Sequence, residues 1–332
     1  MDAIDCDLHC APESYEALFP YLNDYWRQYI TEAGIRLNGL PHAYPRGLGG
    51  AAPSTYDAVS EHVPDFAILN CLTGFETHRN AYFAAAVASA INDWLREEFL
   101  ARDSRLRASL VVSPLSTDDA VSEISRVGED PQFVQVLLPV RSDVPWGNKN
   151  HHAMFAAARE HGLQVALHAW GRAGLAPTPS GFTTTYMEDY LGNQPIAQAQ
   201  VLSLVSEGVF ERFPELHVIM TECGFAWLAP LLWRFDKDWK GVWREVPWVK
   251  RPPSEYVREH FRFTTAPAHL PSDPVAVDQL LEMMDGSGML VYASDYPHEH
   301  GDGLPALLER LSDAQRRELL TGTAAELYGL SA

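Results

Sequence analysis

Basic side chains are in short supply: 25 lysines and arginines stand against 44 aspartates and glutamates, a formal net charge of −19 at pH 7 over 332 residues. A surplus of that size repels nucleic-acid phosphates and anionic lipid surfaces, so neither is an expected partner. Long apolar runs are missing too. None approaches the roughly 20 residues that cross a bilayer, and the chain start shows no basic segment followed by an apolar signal core; the expected compartment is the cytoplasm. Cysteine is sparse, and Cys6, Cys10, Cys71 and Cys223 form no CxxC pair. That spacing excludes a zinc finger or a dithiol redox motif and leaves buried free thiols as the expectation. Nor does a glycine-rich turn follow the first apolar run, as a dinucleotide site requires. Gly47, Gly49 and Gly50 fall in a loop instead.

What is present is enough apolar material for a large core: 46% hydrophobic residues, 11% aromatic and nine tryptophans, the composition of a globular chain. Short apolar runs at 4–10, 65–72, 107–112, 133–138, 163–168, 217–222, 262–265 and 289–294 alternate with stretches of helical periodicity at 13–32, 78–102, 117–129, 150–161, 197–213, 227–239 and 274–285. Nearly continuous apolar strands indicate a parallel sheet covered on both faces. Eight βα units close into a (β/α)8 TIM barrel, here one domain over 1–332 with insertions after strands 1, 5 and 6 (34–60, 170–191 and 241–253). The tryptophan- and proline-rich stretch 239–253 is a candidate lid or subunit contact.

Several strands end in a potential ligand. Asp7 and His9 share one face of the first strand because side chains alternate. His168, Glu222 and Asp295 close the fifth, sixth and eighth. In such a barrel these ends meet at one mouth, where the active site sits. Imidazoles and carboxylates without a thiolate suit a borderline divalent cation: Zn2+ is expected first, with Mn2+ or Fe2+ as alternatives. Such an ion lowers the pKa of water from 15.7 to about 7. Past the eighth strand, His298 is expected to orient a ligand or hold a second cation, and His300 to lie at the surface. Arg46 and Arg234 are candidate anchors for a substrate carboxylate.

The segments Asp7-Leu8-His9, Leu167-His168, Thr221-Glu222-Cys223-Gly224, Ala293-Ser294-Asp295-Tyr296-Pro297-His298 and the closing run 320–328, ending in Leu327-Tyr328, together resemble the amidohydrolase superfamily. Within it they resemble the amidohydrolase-2 group of aminocarboxymuconate-semialdehyde decarboxylase and related aromatic-acid decarboxylases. The resemblance implies a mononuclear metal on Asp7, His9, His168 and Asp295, with Asp295 also handling the proton of an attacking water. One position departs. Those decarboxylases carry a histidine after strand six, and here Glu222 stands in its place, fit to serve as a base of raised pKa or as a further ligand.

The leading expectation is metal-dependent hydrolysis of a small carboxylate, amide or lactone, with Asp295 or Glu222 carrying the proton and His298 assisting. Non-oxidative decarboxylation of a small aromatic acid is the alternative. A third reading, implied by oxygen-activating members of the superfamily, is an iron or iron–manganese oxygenase or its non-catalytic partner subunit. A homodimer is expected, or a hetero-oligomer with a homologous subunit.

Overall fold

The computed structural model describes residues 2–37, 52–75, 78–171, 176 and 181–330. Arg46 lies outside the described residues. Eight parallel strands run in chain order: β1 Ile4–Cys10, β2 Phe66–Cys71, β3 Leu106–Val111, β4 Phe133–Arg141, β5 Gln164–Gly171, β6 Val218–Thr221, β7 Phe261–Thr264 and β8 Leu290–Val291. Every residue of β1 and β4 is buried, as strands enclosed by helices outside and packed side chains inside must be. β8 and β1 close the ring through backbone bonds from Cys6 N to Tyr292 O (2.9 Å), Asp295 N to Asp7 O (3.0 Å) and His9 N to Tyr296 O (2.9 Å). The last two hold the turn after β8 against the very residues that carry Asp7 and His9.

Strand and helix positions follow the sequence pattern, with local shifts. The stripe at 13–32 divides into a 3-10 helix Tyr15–Tyr21, which contains Pro20, and a helix Asp24–Ala33 capped by the Asn23 side chain. A proline cannot donate its missing N–H to a continuing helix. The expected helix at 117 is capped by Ser116, which accepts from Asp119 N. β8 is shorter than the apolar run suggests, because the chain turns away after Val291 toward the turn that carries Asp295.

The insertions take different roles. After β5, the helix Tyr186–Leu191 starts at a capping box in which Thr185 and Glu188 satisfy each other's backbone N–H groups. Arg141, at the end of β4, fastens that helix. Its guanidinium donates to Asp189 Oδ1 (2.8 Å), Asp189 O (2.7 Å) and Asn193 Oδ1 (2.9 Å). The stretch at 239–253 is not at the mouth. The helix Leu228–Val242 carries the chain down the outside of the barrel first, and Trp248 then donates its indole N–H to Ser206 O (2.6 Å) while Lys250 pairs with Glu211. The expectation of a lid there is corrected: a βα unit's helix returns the chain to the opposite end from the strand's C-terminus.

Candidate metal centre and active site

At the C-terminal end of the barrel, Asp7, His9 and His168 offer ligand atoms that all lie within 4.8 Å of one another. His9 Nε2 is 3.4 Å from Asp7 Oδ1, and His168 Nε2 is 3.4 Å from Asp7 Oδ2. Asp295 reaches the same place: its Oδ1 lies 2.6 Å from His9 Nε2 and 3.0 Å from His298 Nδ1, and its Oδ2 pairs with His300 Nε2. Glu222 Oε2 is 3.7 Å from His168 Nδ1. The sequence-derived set of Asp7, His9, His168, Glu222, Asp295 and His298 is therefore brought together. Arg234 is not. It projects from the helix Leu228–Val242 with 82% of its side chain exposed and pairs with Asp238 at 3.1 Å, a solvated helix-surface pair. His300 corrects the expectation of a surface residue, since it sits on Asp295 with only 21% of its side chain exposed.

A divalent cation fits these residues. Asp7 Oδ2 and both ring nitrogens of His168 are buried and make no hydrogen bond, and His9 Nε2 meets only the carboxylates of Asp7 and Asp295. Buried polar atoms almost always find partners, so Asp7 Oδ2 and His168 Nε2, unpartnered and 3.4 Å apart beside His9 Nε2, mark a place built for something that accepts lone pairs. Two imidazoles and carboxylates are the donor chemistry of zinc, manganese or iron.

Backbone conformation sets two of these side chains. Glu222 and Asp295 both have φ of 57°, and among the described residues the only other non-glycine with positive φ is Asp285. Left-handed backbone at a non-glycine residue costs on the order of 1–3 kcal/mol and survives only where surroundings enforce it. At Glu222 the backbone N–H is held by Thr264 Oγ1 (3.0 Å), and at Asp295 by Asp7 O (3.0 Å). Each turn swings a carboxylate inward from the strand end.

Charges within the cluster oppose burial. Burial disfavours ionised Asp7, but the adjacent His9 and His168 outweigh it and hold the carboxyl below the usual carboxylate range. Burial works against charged Asp295 in the same way, and hydrogen bonds from His298, His300 and His9 overcome it. Glu222 goes the other way: burial, reinforced by the negative charge of Asp295, pushes its carboxyl well up. Two neighbouring carboxylates thus have opposite proton affinities, the arrangement that separates acid from base roles in active sites.

Other residues at the mouth were not singled out in the sequence. Asp5 is buried and accepts from Ser294 N (2.9 Å), Asp7 N (3.1 Å) and Ser294 Oγ (2.5 Å), tying β1 to the turn that bears Asp295. Burial lifts its carboxyl to about 7 against those hydrogen bonds. Its signal was legible as a third acidic or imidazole side chain at alternate positions with Asp7 and His9. Tyr190, stacked on Tyr186 at 5.7 Å between ring centroids, is pushed up by burial and then by the negative charge of Glu222, which places the helix Tyr186–Leu191 beside the cluster. An apolar hollow lined by Phe75, Val112, Pro114, Leu137, Pro139 and Trp170 opens at the ends of β2 to β5.

Comparison with known proteins agrees with the fold. The amidohydrolase family model Amidohydro_2 matches residues 4–330. Among solved structures, 2,6-dihydroxybenzoate decarboxylase from Rhizobium is 19% identical with a TM-score of 0.70, covering 100% of both chains. 5-Carboxyvanillate decarboxylase from Novosphingobium aromaticivorans with bound manganese is 16% identical with a TM-score of 0.72, covering 99% of this chain and 97% of that one. The amidohydrolase map2389c from Mycobacterium avium subsp. paratuberculosis is 18% identical with a TM-score of 0.73, covering 100% of this chain and 98% of the other. At these identities the likeness is one of fold. No curated protein matches the chain. No helix of the described residues is long and apolar enough to cross a membrane.

Proposed function

Because the chain belongs to the amidohydrolase family, we propose that it is a metal-dependent hydrolase of a small carboxylate, amide or lactone, with Asp7, His9, His168 and Asp295 as the residues that hold the cation. The observation that carries this reading is the buried cluster of one ligand atom each from Asp7, His9 and His168 within 4.8 Å of one another, with Asp7 Oδ2 and His168 Nε2 left without a hydrogen bond. Zn2+ is the proposed ion, with Mn2+ and Fe2+ compatible with the same donors. A divalent cation there supplies Lewis acidity toward a carbonyl oxygen and a lowered pKa for water.

The protein's own residues do the rest. Asp295, held ionised by its histidine partners, takes a proton from the attacking water, and Glu222, whose surroundings favour its proton, gives that proton to the leaving nitrogen or oxygen as the carbon–heteroatom bond breaks; the proton on Asp295 then returns to Glu222. His298 and His300 hold the two oxygens of Asp295 in place. Phe75 and Trp170 give the β2 to β5 side of the mouth an apolar wall with no charged side chain. Arg141 does not serve as a carboxylate anchor, since Asp189 and Asn193 occupy its guanidinium.

A second reading, non-oxidative decarboxylation of a small aromatic acid, draws on the solved decarboxylases of the same fold. There Glu222 delivers its proton to the ring carbon that loses carbon dioxide. A third, oxygen activation at two cations, draws on Glu222, Asp295 and His300 forming another group of ligand atoms within 4.8 Å. One experiment separates the three. Protein loaded in turn with Zn2+, Mn2+ and Fe2+ is assayed on esters, lactones and amides, on hydroxylated benzoates for carbon dioxide release, and for dioxygen uptake. Hydrolysis with one equivalent of metal is the expected result. Carbon dioxide release without hydrolysis overturns it in favour of the second reading, and oxygen uptake with two equivalents of iron or manganese in favour of the third.

A further inference from the structure

The closing segment that ends in Leu327-Tyr328 enters none of the chemistry above, yet its last aromatic side chain is wired to the mouth through the barrel interior. Tyr328, in the helix Thr323–Tyr328, donates its hydroxyl to Gln135 Oε1 (2.7 Å) on β4. Gln135 Nε2 donates to Ser109 Oγ (2.8 Å) on β3, Ser109 donates to Asn70 Oδ1 on β2, and Asn70 Nδ2 donates to Asp7 Oδ1 (2.7 Å) on β1. Asn70, Ser109, Gln135 and Asp7 are all completely buried.

The direction of donation is the same at every link. A phenol at one end gives a proton to an amide oxygen, each amide gives from its nitrogen, and the single serine hydroxyl accepts once and donates once, so no member is free to reverse without breaking a bond. The chain terminates on one oxygen of Asp7 and leaves the other, Oδ2, without any hydrogen bond. A buried network in which every member is satisfied fixes side-chain orientation, because each rotation would strand a polar group.

We propose that Tyr328, Gln135, Ser109 and Asn70 are positioning residues that saturate Asp7 Oδ1 and thereby reserve Asp7 Oδ2 for the cation, so that the C-terminal helix sets metal affinity from the far side of the barrel. The inference rests on the reading of Asp7 as a ligand. Partners that orient a ligating side chain typically change metal affinity by about 10–100-fold when removed.

The test measures Zn2+ dissociation constants by competition with a chromophoric chelator, with no substrate present, for the wild type, Ser109→Ala, Tyr328→Phe, the double variant and Asp7→Ala. Ser109→Ala is expected to weaken binding about tenfold and Tyr328→Phe by a smaller factor. The double variant should be no weaker than Ser109→Ala alone, since both changes cut one chain. Wild-type affinity in both single variants overturns the proposal, as does strict additivity. Thermal midpoints of the metal-free proteins are recorded alongside, and a drop in midpoint with unchanged affinity assigns the chain a purely structural role. If Asp7→Ala binds Zn2+ as tightly as the wild type, the ligand assignment itself fails, whatever the other variants do.

Discussion

Two groups of histidines sit at opposite ends of the barrel, and only one of them is arranged for chemistry. At the mouth, His9 and His168 face Asp7, Asp295 and Glu222. At the floor, His260 and His217 precede β7 and β6. His260 stacks on Phe210 with ring centroids 4.4 Å apart, and its Nδ1 lies 3.0 Å from Leu216 O. Burial pushes both floor imidazoles down; at His217 the charge of Arg262 adds to it, and at His260 burial prevails over the opposing hydrogen bond to Leu216 O and the charge of Glu259. At the mouth, burial acts on His9 as well, but the charge of Asp7 and the contact with Asp295 override it and raise its proton affinity well above the usual value. Burial alone therefore leaves a histidine neutral and inert, whereas interleaved carboxylates with spare lone pairs make it part of a cation site.

The strongest way to break this comparison is Asp7→Asn against His260→Gln. Asp7→Asn should abolish stoichiometric metal by elemental analysis and lower turnover by more than about 10³-fold, several kcal/mol of lost stabilisation; His260→Gln should leave metal content intact. Equal metal loss in both variants would erase the distinction between the two ends. Next comes Glu222→Gln, expected to lower kcat by about 10²–10⁴-fold while retaining metal, with rate measured across pH; an unchanged profile would remove Glu222 from proton transfer. Arg141→Met tests whether the mouth depends on its buried clamp. Depriving Asp189 of the guanidinium should cost about 3–5 kcal/mol in urea unfolding, and a smaller midpoint shift would show that the helix Tyr186–Leu191 is held by other contacts.

The smallest effect concerns the floor and pH. Folded-state pKa values of His217 and His260 lie below their unfolded ones, so the unfolded chain binds more protons as pH falls. Their contribution is complete above about 6.5 and is lost progressively below it. Calorimetric melting of metal-free protein between pH 7.5 and about 5 should show this acid limb, shallower in His260→Gln; an identical limb in the variant would place its origin elsewhere.

Much of this architecture is legible in the amino-acid order. Short, nearly continuous apolar runs place the strands and period-3.6 patterning the principal helices, and the barrel's rule that strand ends converge is enough to collect Asp7, His9, His168, Glu222 and Asp295. What escapes has physical reasons. Asn70, Ser109 and Gln135 look like interruptions in apolar runs, because a polar residue inside a barrel is meaningful only through partners on neighbouring strands. His300 reads as a loop histidine until the turn after β8 folds back. Arg234 fails in the opposite direction: helical phase, which sequence gives only approximately, turns it outward. The stretch at 239–253 fails because its tryptophans suggest a mouth cover, while the length of the helix before it delivers them to the other end.

The left-handed backbone at Glu222 has a consequence for anyone who selects this protein for robustness. Glycine adopts that conformation without steric penalty, and Glu222→Gly would also remove a carboxylate that burial and Asp295 disfavour in its charged form. Heat selection at this position should therefore enrich variants that melt higher and turn over nothing, so thermal tolerance and catalytic competence pull this residue toward opposite choices.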